Sequence, residues 1–136
     1  TALELATAHA NGEAKRLSAL RDYLEHQLIT AFPAAILSGA GKKRLAGHLH
    51  ISFPGLDAER LIFALEAEGV LLATGSACAA NKGTRSHVLT AIGLAPEIAD
   101  GSLRITFGRL STKENTEAVA AILVRVISAE MERVGL

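Results

Sequence analysis

The sequence predicts an α+β fold: a small, mostly antiparallel sheet with helices packed on one face. Three observations predict it. Apolar residues recur at three- and four-residue steps towards both ends of the chain, which is the pattern of amphipathic helices. Between those ends, His48 to Phe53 and Ser102 to Phe107 alternate apolar with polar residues, as half-buried strands do. The resulting order is helix, strand, strand, helix, strand, loop, short helix, strand, helix, an arrangement that suits a layered α+β domain.

Each element has its own signal. Leu3 to Ala10 is helix-like, but Asn11-Gly12 is a breaker pair and predicts a kink or join. Leu17, Leu20, Leu24 and Leu28 then form one apolar stripe, with Arg16, Arg21, Asp22 and Glu25 off it, and Pro33 stops the helix. Ala34 to Leu37 is a short strand, and Ser38-Gly39-Ala40-Gly41 supplies turn residues ahead of Lys42, Lys43 and Arg44. In the next strand Leu49, Ile51 and Phe53 face inward, and His48, His50 and Ser52 face the other way. Asp57 caps a helix through Leu61, Ile62 and Leu65 that Gly69 closes. Val70 to Thr74 reads as a buried strand, and the small-residue stretch Gly75 to Arg85 as an exposed loop. Ser86 caps a short helix from His87 to Ile92, and Pro96 to Gly101 is a further turn. In the last strand Leu103, Ile105 and Phe107 point inward and Ser102, Arg104 and Thr106 outward. Ser111-Thr112-Lys113-Glu114 is a capping box for a final helix whose apolar face runs from Val119 to Val134.

With 136 residues, 49% of them hydrophobic, and 14 basic against 14 acidic side chains, the chain has the size and composition of one domain, residues 1–136, with one core. The composition excludes intrinsic disorder. No charge-free stretch approaches the roughly 20 apolar residues of a membrane span, so no membrane is expected. Zero formal charge, no Trp and one Tyr argue against a nucleic-acid surface. A single cysteine, Cys78, can form neither an internal disulfide nor a multi-cysteine zinc site, which points to a cytoplasmic protein. The chain begins at Thr1 without a leader pattern and reads as a cut inside a longer protein.

Few constellations rise above ordinary structural roles. Ser38 to Lys43 lacks the spacing of a phosphate loop and reads as a solvated basic hairpin. His48 and His50 could face a metal, but with no third ligand in view they read as surface or interdomain residues, and no metal is expected. His87 reads as a neutral imidazole packed at a helix start. Cys78 follows Gly-Ser-Ala and precedes Lys82 and Arg85, without the apolar periodicity that burial requires. Exposure and nearby cations favour the thiolate, although a lone cysteine is more often a small buried hydrophobe. Arg104 could clamp a carboxylate with two hydrogen bonds, against the commoner role of a solvated strand arginine. Arg109, at a strand end, suits a structural salt bridge.

Thr74-Gly75-Ser76-Ala77-Cys78, Ser86-His87-Val88-Leu89, Ala91-Ile92-Gly93-Leu94 and Gly101-Ser102-Leu103-Arg104-Ile105-Thr106-Phe107-Gly108-Arg109 together resemble the C-terminal part of a cysteine desulfurase of the NifS/IscS type, within the class V aminotransferase family. The resemblance runs nearly end to end. It implies the C-terminal domain of a fold-type I pyridoxal 5'-phosphate enzyme, a homodimer when full length. Such an enzyme takes sulfur from L-cysteine, leaves L-alanine, and carries the sulfur as a persulfide to iron-sulfur scaffolds or other acceptor proteins. Cys78 maps onto the sulfur-carrying cysteine and Arg104 onto the substrate-carboxylate arginine. The cofactor lysine of the family follows a His in a larger preceding domain, and Lys15, Lys42, Lys43, Lys82 and Lys113 have no His before them. The chain alone is therefore expected to be inactive and to hold no cofactor. His50 stands where the family usually has Asn, and Arg85 where it often has Pro. Two other readings stay open: a class V aminotransferase or lyase in which Cys78 is incidental, and a non-catalytic interaction module.

Overall fold

The computed structural model describes residues 1–39, 44–74 and 85–136. Cys78, Lys42, Lys43, Lys82 and most of the two turn and loop segments predicted around them lie outside the described residues. The described chain runs α1 (Ala2–Ala31), β1 (Ile36–Leu37), β2 (His48–Ser52), α2 (Ala58–Ala67), β3 (Ala73–Thr74), α3 (His87–Ala91), α4 (Pro96–Ala99), β4 (Ser102–Thr106) and α5 (Lys113–Val134). The strands form one sheet in the order β1-β2-β4-β3, with every neighbouring pair antiparallel. This is the expected α+β architecture. Among the described residues no helix is long and apolar enough to cross a membrane.

The inward sides of the alternating strands do what the pattern required. Leu49, Ile51, Phe53, Leu103 and Ile105 pack with Leu24 and Leu28 of α1, Leu61 and Leu65 of α2, and Leu123 and Ile127 of α5 in a single core. Phe32, which ends α1, meets Phe53 edge to face at 5.5 Å between ring centroids. Fully burying one such large side chain is worth about 1.5–3 kcal/mol, so the sheet-helix seam supplies the main cohesion.

Four local expectations are corrected. Helix α1 passes through Asn11-Gly12 without a break. A turn there would use left-handed backbone, and neither residue has positive φ; Gly in a helix costs only about 1 kcal/mol relative to Ala, which helical turns on both sides offset by propagation. The strand expected over Val70 to Thr74 pairs only through Ala73 and Thr74, and Leu71 is exposed. As an edge strand it has a partner on one side alone. The turn expected at Pro96 to Gly101 is present as a single helical turn over residues 96–99, with Pro96 at its start, where a missing N–H costs nothing.

The capping box of α5 sits one residue later than expected. Thr112 is the N-cap, its Oγ1 accepting from Asn115 N at 3.2 Å while Asn115 Oδ1 accepts from Thr112 N at 2.8 Å. Ser111 is unavailable because its Oγ accepts from Gly108 N at 3.0 Å, closing the preceding turn.

The largest correction concerns the second face of the sheet. Ser52 and Ser102, placed outward by alternation, do point away from the helical core, yet they are 0% and 1% exposed. Their hydroxyls meet at 2.7 Å, and Ser102 Oγ also donates to the carbonyl of Ile98 at 3.3 Å. The α4 turn therefore covers this end of the face. Gly101 makes the approach possible: its carbonyl accepts from Phe53 N at 3.0 Å, and a Cβ there would collide with the Phe53 carbonyl.

Candidate functional site

The remainder of that second face carries the candidate site. In the β2-β4 register His50 lies directly opposite Arg104, and in the β3-β4 register Ala73 lies opposite Arg104 on its other side. Beyond His50, Ser38 donates its backbone N–H to the His50 carbonyl at 3.1 Å. Three strands and the residue that follows β1 thus place Ser38, His50, Arg104 and Ala73 in one row. Period-two alternation along each strand puts them on the face turned away from the core.

Arg104 is exposed, as expected, and among the described residues it makes no ion pair. Its fork of donors is therefore open to an external planar anion. His50 is half-buried, and among the described residues neither ring nitrogen has a hydrogen-bond partner; the Ser38 hydroxyl is in the same condition. Burial, and then the positive charge of Arg104, push the His50 imidazole below its ordinary value. At neutral pH it is uncharged. The histidine pair read as surface or interdomain residues thus splits, with His48 exposed and His50 sunk beside Arg104. Alternation alone put His50 on the outer face; only strand register could have paired it with Arg104.

Strand β3 ends at Thr74, next to Leu103 of β4, and the segment bearing Cys78 begins there. Where the described chain resumes, Arg85 is held in a two-pronged pair with Asp100, Nε to Oδ1 at 2.7 Å and Nη2 to Oδ2 at 2.9 Å. Ser86 Oγ then accepts from Leu89 N at 3.4 Å as the cap of α3. Thr74, before the Cys78 segment, is thus paired with β4, and Arg85, after it, is tied to Asp100 just ahead of β4, the strand that carries Arg104.

Two other residues are placed differently from expectation. His87 is exposed rather than packed at the start of α3. Arg109 forms no salt bridge among the described residues; Arg16 does so instead, pairing with Glu13 at 2.9 Å and donating to the carbonyls of Gly108, Arg109 and Ser111. The guanidinium of Arg16 fits because it lies on α1 opposite that turn, whereas Arg109 stands beside a solvent-facing hollow with His9 and Glu13.

Among the described residues no group of three His, Cys, Asp or Glu side chains is placed to hold a metal. A cofactor bound as an imine would need a lysine near Arg104. Lys15 is exposed on α1, and Lys113 opens α5 and pairs with Glu117 at 3.6 Å; neither belongs to the outer face of the sheet. The described residues do not fit a pyridoxal phosphate pocket.

Comparison with known proteins agrees with the arrangement of the chain. A cysteine desulfurase IscS from Dictyoglomus turgidum is 36% identical over 126 residues, covering 93% of this chain and 32% of the relative. The cysteine desulfurase IscS of Methanosarcina thermophila is 37% identical over 126 residues, covering 93% of this chain and 31% of the relative. A solved structure described as a NifS-like protein superposes with a TM-score of 0.80 at 25% identity, over 94% of this chain and 32% of its own. The chain spans about a third of the length of the curated relatives it matches. The profile of the family described as aminotransferase class-V matches residues 1–119, and the chain belongs to that family.

Proposed function

We propose that this chain is the C-terminal domain of a cysteine desulfurase, in which Arg104 holds the substrate carboxylate and Cys78 receives the sulfur. The observation that carries the reading is the open guanidinium of Arg104 beside the strand that leads into the Cys78 segment. The desulfurase names of its relatives support it, as does Gly-Ser-Ala-Cys at residues 75–78.

The balance of the reaction fits two such residues. A bidentate pair of Arg104 with the carboxylate of L-cysteine fixes one end of a small substrate, which makes the position of its sulfur a matter of geometry. The Cys78 thiolate attacks that sulfur; the S–S bond forms, the Cβ–S bond breaks with its electron pair left on Cβ, and a proton completes L-alanine. Cys78 ends as a persulfide, with no external oxidant or reductant. An acceptor protein or iron-sulfur scaffold then takes the sulfane sulfur. Pyridoxal 5'-phosphate, which the family relation implies, would be held by residues outside this chain. We assign the full-length protein to a cytoplasmic homodimer on the same reading.

The test uses the full-length protein that carries this chain. The wild type should convert L-cysteine to L-alanine and gain the mass of one sulfur atom on Cys78. Cys78→Ser should remove the mass gain and the supply of sulfur to an acceptor. Amino-group transfer to a keto acid, untouched by Cys78→Ser, would replace this reading with that of an aminotransferase. The 136-residue chain alone, mixed with pyridoxal phosphate and L-cysteine, should release no sulfide; turnover by it would refute the division of labour.

A further inference from the structure

The row across the outer sheet face contains three polar atoms that need partners. Both His50 ring nitrogens and the Ser38 Oγ are buried without a hydrogen bond among the described residues, a condition rare enough in folded proteins to require an explanation. On the other side of His50 stands Arg104, directly opposite across β2 and β4, with no ion pair among the described residues. Side chains so placed have Cβ atoms about 4.5–5.5 Å apart.

The donor and acceptor inventory of the row itself offers a solution that satisfies all three atoms. A neutral imidazole carries one N–H and one lone pair. The N–H can be donated to Ser38 Oγ, and the lone pair can accept from one of the five N–H groups of Arg104. The guanidinium then keeps two parallel N–H groups for a carboxylate. Neither contact is made in the structure as it stands; we propose that a bound carboxylate draws Arg104 towards His50, which then acts as a positioning residue for it, accepting from the guanidinium and donating to Ser38 so that the remaining fork faces the substrate carboxylate. This rests on the assignment of Arg104 as the carboxylate clamp.

The charge environment supports the role. Arg104 faces His50 from β4, and His48 lies two residues along β2; β1 presents Ile36, Ser38 follows β1 directly, and β3 presents Ala73. Ser52, Ser102 and Thr106 complete this face among the described residues, so it carries no carboxylate there. Both burial and Arg104 favour the uncharged imidazole, the only form with a lone pair to offer. Protonated, His50 would repel Arg104 rather than orient it.

The experiment compares the wild type with His50→Ala, His50→Asn and Arg104→Ala in the full-length protein. Two quantities are measured: KM and kcat for L-cysteine, and the dissociation constant of L-alanine by titration calorimetry, which does not depend on turnover. His50→Ala should raise KM and the L-alanine dissociation constant about tenfold, the loss of one orienting hydrogen bond, and change kcat by less than about twofold. His50→Asn should restore both constants, because an amide also offers one acceptor and a donor. The wild-type KM should rise as pH falls through the lowered His50 range, and the His50→Asn KM should stay flat there. Unchanged constants in His50→Ala, where Arg104→Ala raises them, overturn the proposal and leave the clamp standing. A His50→Asn protein as impaired as His50→Ala overturns it equally. If Arg104→Ala binds L-alanine as tightly as wild type, the clamp fails first and the positioning role with it.

Discussion

Replacing Ser102 with Ala tests how the second face of the sheet is closed. Among the described residues Ser52 Oγ has one partner, the Ser102 hydroxyl at 2.7 Å, whereas Ser102 Oγ has a second, the Ile98 carbonyl at 3.3 Å. The two deletions are therefore unequal. Ser102→Ala strands a hydroxyl that is 0% exposed, which costs about 1–3 kcal/mol. Ser52→Ala leaves Ser102 bonded to Ile98 and removes a single net hydrogen bond, about 0.5–1.5 kcal/mol. The double variant strands no hydroxyl, so it should be no less stable than Ser102→Ala alone, with a coupling of about 1 kcal/mol between the sites. Urea unfolding of the four proteins measures all three differences, provided the slopes agree. Equal single costs that simply add would refute the bonded pair, and with it the covering of this end of the sheet by α4.

Three further outcomes are expected. Arg104→Lys in the full-length protein should raise KM for L-cysteine at least about tenfold, because an ammonium cannot make the paired contact; steady-state kinetics with unchanged KM would contradict the clamp. Thr112→Ala should destabilise the protein by about 0.5–2 kcal/mol through loss of the α5 cap, and Glu114→Ala by distinctly less, which denaturant melts would resolve. Glu130 on α5 has its carboxyl pulled down to about 2, chiefly by the hydrogen bond from Arg133 and then opposed by desolvation and helped by Arg60 of α2. A depressed acid stabilises the fold fully above its unfolded value of 4.5 and loses that contribution as pH falls towards about 2. The gap in melting temperature between wild type and Glu130→Gln should accordingly narrow from pH 7 to pH 3; a gap that widened would reverse the sign of this linkage.

The elements that were legible in the sequence are those whose signals are local. Asp57 at the N-cap of α2 and Ser86 at that of α3 are recognised by a short polar side chain before an apolar stripe, and both accept the expected backbone N–H groups. Gly69, with φ of +78°, closes its helix as its position implied. Asn11-Gly12 misled because a breaker pair reports an intrinsic preference, and thirty residues of continuous helix outweigh it. Ser111 misled because two adjacent hydroxyls compete for one cap, and the turn from Gly108 decides between them.

For the candidate site, residue types and motif spacing singled out Cys78 and Arg104, and Arg104 does lie on the open face. His50 was placed on the correct side by alternation but was assigned no role. Its neighbour is remote along the chain, and a strand pattern records which face a residue takes without recording its partner. By itself the sequence determined the helices, the two alternating strands, the side each residue faces and the family relation, all of which depend on periodicity or short motifs. Only the tertiary structure decided that His50 sits across from Arg104 and that Ser52 and Ser102 are sealed under Ile98, because register and coverage arise from contacts between segments distant in the chain.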